Sequence, residues 1–293
     1  MRLKKTGCRE YILWLVVSVL ALCFVPSATS QPVHGTIGVV YYTRDKIVVA
    51  AESRLVGGVG STIAPTDDAC KVAAVNGELV FVSSGMTRHV GDSRLSGWDN
   101  NDMIHEAYHR IKSKNPQAQG DLRGVAKEWS DSVADKFNAD ARLHPGLFPW
   151  LTSQMSAGEA FTIGYLGGRD ETGNLSLFLI AVIPNASRTL AEGVAQSVGA
   201  CRDHDFCSVG GAVDTVAEFG NASSERARKE WADWKPPKGT PRSDYDALKT
   251  IRILELAVLY HAGHDAGGPI DAVQLNRDGA IHWYARKPNC PEN

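Results

Sequence analysis

His34-Gly35-Thr36-Ile37-Gly38-Val39-Val40-Tyr41, followed after Thr43-Arg44-Asp45 by Lys46-Ile47-Val48-Val49-Ala50-Ala51-Glu52-Ser53-Arg54, decides the fold class. β-branched residues crowd both halves, as in strands with at least one buried face, and the polar triplet between them reads as a tight turn. The chain thus opens on an antiparallel hairpin. An acid, Glu52, closes its apolar run, and a Gly35–Thr36 bond stands at its head.

Beyond the Gly-rich residues 56–60 a second hairpin follows. Lys71-Val72-Ala73-Ala74-Val75 and residues 79–85 flank Asn76-Gly77, a pair that favours positive φ at both turn positions. Met103, Ala107, Tyr108 and Ile111 then recur at helical spacing behind caps at residues 99–101, and Pro116 ends that helix. Leu122, Val125, Ala126, Trp129, Val133 and Phe137 mark a second helix. Residues 143–156, rich in Pro, Gly and aromatics, read as a long loop. Strands resume at 161–166 and 175–183 around a turn at Thr172-Gly173, with weaker strand signals at 194–199 and 207–209 and a short helix at 212–219. Residues 221–240 read as a charged surface excursion. Asp244 is placed to cap an apolar helix through Leu248, Ile251, Leu254, Val258 and Leu259, and a closing hairpin turns at Arg277-Asp278-Gly279. Helices grouped between runs of hairpins predict an α+β fold, with antiparallel sheets and helices layered outside them.

The composition, 43% hydrophobic and 22% charged over 293 residues, is that of a globular chain with ample length for a core. Residues 1–30 read as a signal peptide. Arg2, Lys4, Lys5 and Arg9 precede an apolar run at 12–25, and Ala28 and Ser30 are the small residues before a cut at Gln31. The mature chain is expected to be exported, to the periplasm or outside the cell, with no membrane span. Its net charge goes from −2 to about −5, with no basic stripe, so nucleic acid is not expected as a partner. Four cysteines remain: Cys70, Cys201, Cys207 and Cys290. Two disulfides, Cys201–Cys207 and Cys70–Cys290, suit an exported chain, but the sequence allows three connectivities. A metal set at Cys201, His204 and Cys207 is the minor alternative, lacking a second ligand pair. Asn174, Asn185 and Asn221 each open an acceptor triplet for glycosylation in a eukaryotic secretory pathway.

Taken together, residues 34–40, Val49-Ala50-Ala51-Glu52-Ser53-Arg54, Cys70-Lys71-Val72 and Ser83-Ser84-Gly85 resemble the N-terminal half of a proteasome β-type subunit and related N-terminal-nucleophile (Ntn) hydrolases. Gly267-Gly268-Pro269-Ile270-Asp271 and Arg277-Asp278-Gly279 resemble that family's closing segment, so the matches bracket nearly the whole mature chain. The resemblance implies a four-layer αββα sandwich of two antiparallel sheets over residues 36–293. It also implies cleavage of Gly35–Thr36, which removes the short pro-segment 31–35 and frees Thr36 as the nucleophile.

That chemistry is intelligible from the residues. A threonine hydroxyl needs a base beside it, and an N-terminal α-amine, with a pKa of about 7.7–8.0, can serve. Gly35 lets the backbone bend so that the Thr36 hydroxyl can attack the Gly35 carbonyl. By resemblance, Lys71 is the neighbouring ammonium, Glu52 the acid that fixes it, the Gly85 N–H the oxyanion donor, and Arg54 a structural residue. Before Gly267 the family has an Asp and a Ser; here His264-Asp265-Ala266 stand, with Asp265 offered as the acid. Where the family has a further serine, this chain reads Ser208-Val209-Gly210-Gly211-Ala212. The expected activity is hydrolysis of peptide or amide bonds without metal or cofactor. The alternatives are a non-catalytic relative that serves as scaffold or binding surface, and an amidase for small molecules. The family's rings raise a homo-oligomer as one arrangement among ring, dimer and monomer.

Overall fold

In a computed structural model, residues 37–54, 66–89, 98–115, 121–143, 145–153, 155, 159–198, 206–210, 213–261 and 266–290 are described. The opening stretch forms β1 (Ile37–Tyr42) and β2 (Lys46–Glu52), paired antiparallel from Gly38 opposite Ala51 to Tyr42 opposite Ile47. Thr43 holds the turn: its N–H donates to the Lys46 carbonyl, and its hydroxyl accepts from the Lys46 N–H. The second hairpin is β3 (Val72–Val75) and β4 (Leu79–Gly85), with Asn76 and Gly77 both at positive φ, as that turn requires. A two-residue ladder of β5 (Arg88–His89) and β6 (Trp98–Asp99) follows, unannounced by any apolar run.

The helices come in two groups. The first is α1 (Asn100–Lys114), α2 (Leu122–Leu143) and α3 (Leu147–Ser153); the second is α4 (Val213–Gly220), α5 (Glu225–Asp233) and α6 (Tyr245–Tyr260). Between them run β7 (Thr162–Arg169), β8 (Leu175–Pro184), β9 (Ala191–Ser197) and β10 (Phe206–Gly210), and β11 (Ile270–Asn276) and β12 (Ile281–Ala285) close the chain. Asp99 caps α1 by accepting from the Asn101 N–H at 2.8 Å.

Two antiparallel five-stranded sheets result, in the orders β10-β1-β2-β11-β12 and β3-β4-β7-β8-β9. Side chains alternate across each strand. Tyr42, Ile47, Val49, Val273 and Leu275 of one sheet pack with Val80, Val82, Leu175 and Leu177 of the other in one apolar layer. The outer positions Phe81, Leu166, Phe178 and Ile180 pack under Trp129, Val133 and Phe137 of α2 and Phe148 of α3. Ile37, Val39, Ala50 and Ala272 pack under Phe219, Ile253 and Leu254. Each sheet is therefore buried on both faces, which is why strands such as β2 and β8 read as nearly unbroken apolar runs.

Three expectations need correction. Residues 143–156 are not one long loop: α3 folds there, because Phe148 and Leu151, three apart, both bury, and Pro149 stands in the first turn, where a missing N–H costs nothing. The excursion 221–240 contains α5, capped by Ser224, whose hydroxyl accepts from the Ala227 N–H. Its inward face is little more than Ala227 and Trp231, too thin a stripe to stand out in the sequence. Asp244 makes no side-chain cap on α6; a 3-10 turn, Arg242–Asp244, leads in, and the Asp244 carboxylate accepts from Ser243.

Cys70 and Cys290 are joined in a disulfide, with Cα atoms 5.6 Å apart. The Cys201–Cys207 pairing lies outside the described side chains. Among the described residues no helix is long and apolar enough to cross a membrane.

Candidate active site

β2 is the middle strand of its sheet, with β1 on one side and β11 on the other, and it ends at Glu52. That carboxylate is fully buried, at 0% exposure, a position open to a charged group only if it is paired and hydrogen-bonded. Four donors meet it. Oε1 accepts from the Ile37 N–H at 3.1 Å and from Lys71 Nζ at 2.9 Å; Oε2 accepts from the Arg54 N–H at 2.6 Å and the Gly267 N–H at 3.0 Å. The first residue of β1 and the segment leading into β11 therefore both contribute to holding one acid.

Lys71, the residue before β3, is 1% exposed. Its ammonium donates to Glu52 and to the Arg54 carbonyl. Burial pulls its pKa below the ordinary lysine value, while the Glu52 charge and hydrogen bond oppose that pull. The backbone around it is pinned at successive residues. The Ala69 N–H donates to the Ser53 carbonyl, Asn101 Nδ2 donates to the Cys70 carbonyl at 2.6 Å, and the Lys71 carbonyl accepts from the Ser83 N–H at 3.0 Å.

Arg54 forms a two-pronged pair with Asp67, Nε to Oδ1 at 2.8 Å and Nη2 to Oδ2 at 3.1 Å, and its Nη1 reaches the Ala266 carbonyl. The hydrogen bond from Arg54 holds the Asp67 carboxyl below the usual carboxylate range. Beside them Gly268 has φ +78°, and a Cβ there would lie 2.7 Å from Asp67 Cβ and 2.9 Å from Ser53 Oγ. Only glycine lets the closing segment approach so near.

Gly85 ends β4 at φ +83°, and a Cβ there would stand 2.6 Å from the Phe161 carbonyl oxygen. The Met86 N–H donates to that oxygen, while the Ser83 N–H donates to Lys71 on the opposite side. Successive N–H groups of an antiparallel strand alternate between sides, so the Gly85 N–H, two residues past Ser83, faces the Lys71 side, beyond the start of β3.

The fold thus brings Glu52 and Lys71 into contact and ends the strand of Gly85 beside them. Gly35, Thr36 and Asp265 lie outside the described residues, as do His264 and residues 1–30. Two functional candidates escaped the sequence reading. Asp271 is 1% exposed, and Lys287 pairs with it from 16 residues further on, Nζ to Oδ2 at 3.1 Å. Asp271 stood within the quoted Gly267–Asp271 motif, but nothing in the sequence ties Lys287 to it. Among the described residues no group of three His, Cys, Asp or Glu is placed to hold a metal ion. Comparison with protein-family models and with curated proteins finds no match for this chain.

Proposed function

We propose that this chain is an exported, proteasome-like Ntn hydrolase, whose Thr36, once freed from Gly35, cleaves peptide or amide bonds. The observation that carries the reading is the double contact at Glu52 Oε1: it accepts both the Lys71 ammonium and the N–H of Ile37, the residue covalently bound to Thr36. A buried ammonium is thereby held next to the start of β1, where a threonine nucleophile needs one. Helices on the outer face of each of two packed antiparallel sheets support the αββα reading. The Cys70–Cys290 disulfide suits an exported chain.

The steps follow from the groups. The Thr36 hydroxyl attacks the Gly35 carbonyl, the peptide link becomes an ester on Oγ, and water hydrolyses it, leaving a Gly35 carboxylate and a free α-amine. In turnover that amine takes the hydroxyl proton, and Oγ attacks the substrate carbonyl. The Gly85 N–H donates to the developing oxyanion, a contribution of about 2.7–4 kcal/mol per donor in other hydrolases. The amine returns its proton to the leaving nitrogen, and water releases the acyl group. The Lys71 ammonium, paired with Glu52, favours the deprotonated hydroxyl.

Mass spectrometry of the mature protein tests this. Thr36 is expected at the N-terminus, and Thr36→Ala should keep Gln31-Pro32-Val33-His34-Gly35 attached. A wild-type chain beginning at Gln31 and unreactive to threonine-directed epoxyketones refutes the reading and leaves a non-catalytic scaffold.

A further inference from the structure

Directly beside the Glu52–Lys71 pair lies a second buried pair of the same chemistry. Asp271 sits on β11 opposite Ala51, the neighbour of Glu52. Its Oδ1 accepts the Lys287 N–H at 2.8 Å, and its Oδ2 pairs with Lys287 Nζ at 3.1 Å. Lys287 is 8% exposed, and its ammonium also donates to the Ala69 carbonyl, two residues before Lys71. Three residues further on, Cys290 is bonded to Cys70, the residue between Ala69 and Lys71. The tail therefore grips the Lys71 segment twice, once through an ammonium and once through sulfur. Both grips fall on the two residues immediately before the site lysine.

We propose that Lys287 is a positioning residue for Lys71: anchored by Asp271, it holds the Ala69 carbonyl and sets a second positive charge beside the Lys71 ammonium. A backbone clamp alone needs no charge, since a buried amide or hydroxyl can donate to a carbonyl. An ammonium costs more to bury than either, and Asp271 must be buried with it. What the charge adds is repulsion of Lys71. The groups acting on Lys71 are Glu52 from β2 and Asp67 from the segment before β3, which keep it protonated, and burial and Lys287 from the tail, which oppose them. The pair thus tunes how readily Lys71 gives up a proton, and its relevance to catalysis rests on the Thr36 reading.

The test follows the Lys71 ammonium directly, by NMR titration of protein labelled at lysine Cε, its signal assigned by loss in Lys71→Arg. Lys287→Met is expected to move the Lys71 midpoint to higher pH. Asp271→Asn, which leaves Lys287 without its counter-charge, is expected to move it to lower pH. A merely structural loosening would admit water in both variants and raise both midpoints, so same-direction shifts, or no shift, overturn the proposal. Lys287→Arg, which keeps charge and donor, should leave the midpoint unchanged and serves if Lys287→Met does not fold; a rise in the Arg variant equally overturns the proposal. If wild-type protein retains residues 31–35, the hydrolase reading fails, yet the Lys71 midpoints still decide the role of Lys287.

Discussion

Replacing Glu52 by glutamine keeps the shape of the side chain and removes its charge, and the structure sets how much that costs. Lys71, at 1% exposure, loses its counter-charge, and removing one partner of a buried pair typically costs about 3–5 kcal/mol. The amide adds a second mismatch. Each Glu52 oxygen accepts two donors, so whichever way glutamine turns, its NH₂ faces either Ile37 N–H and Lys71 or Arg54 N–H and Gly267 N–H. An orphaned buried donor costs about 1–3 kcal/mol, in part the same loss counted twice, so the expectation stays at about 3–5 kcal/mol. Against the 5–15 kcal/mol of ordinary domains, that is about a fifth of the stability or more. Lys71→Met should cost less, because the carboxylate keeps three backbone donors. The double variant should cost less than the two singles combined. The assay is urea unfolding at neutral pH, followed by tryptophan fluorescence with the disulfide intact. A loss below about 1 kcal/mol for Glu52→Gln, the size of an exposed ion pair, or strict additivity in the double variant, would refute the reasoning.

Gly85→Ala combines a left-handed backbone at φ +83° with a clash against the Phe161 carbonyl, so a stability loss of about 1–3 kcal/mol is expected, with slower processing at Gly35–Thr36 as the strand end shifts. Thermal unfolding and N-terminal mass spectrometry check the two effects. The Arg54 bond lowers the folded pKa of Asp67 below its ordinary 3.8, so the folded state binds fewer protons there than the unfolded chain does. The contribution is present above 3.8 and lost as pH falls through the lower folded value, and Asp67→Asn should flatten that part of an acid-unfolding curve.

Strands whose two faces are both buried announce themselves, because few polar residues interrupt them; β1, β2, β4 and β8 were legible for that reason, and the helix α2 by the helical spacing of its one apolar face. So was the turn at Asn76-Gly77, where the backbone demands one chemistry. The helices α3 and α5 were not, since each buries only a residue or two per turn and takes its order from packing already in place. Glu52 and Lys71 were legible as a site only through the likeness to a family, since a single charge near a strand end is ordinarily solvated. Their contact is a tertiary fact. Lys287 shows the limit most clearly: in the sequence it is an ordinary tail lysine, and only the return of the chain past β11 makes it a buried partner of Asp271.

Glu52 takes donors from residue 37 and from residue 267, the latter 215 positions downstream. At ordinary synthesis rates of 5–20 residues per second, roughly 10–40 s separate the acid from its last donor. Until that donor arrives, a carboxylate and an ammonium that tolerate no half-built surroundings have nowhere to bury themselves. Whatever chemistry the site performs thus waits for the far end of the chain: a partly emerged chain carries its parts in an inert order, and only a nearly complete one can close them into a working centre.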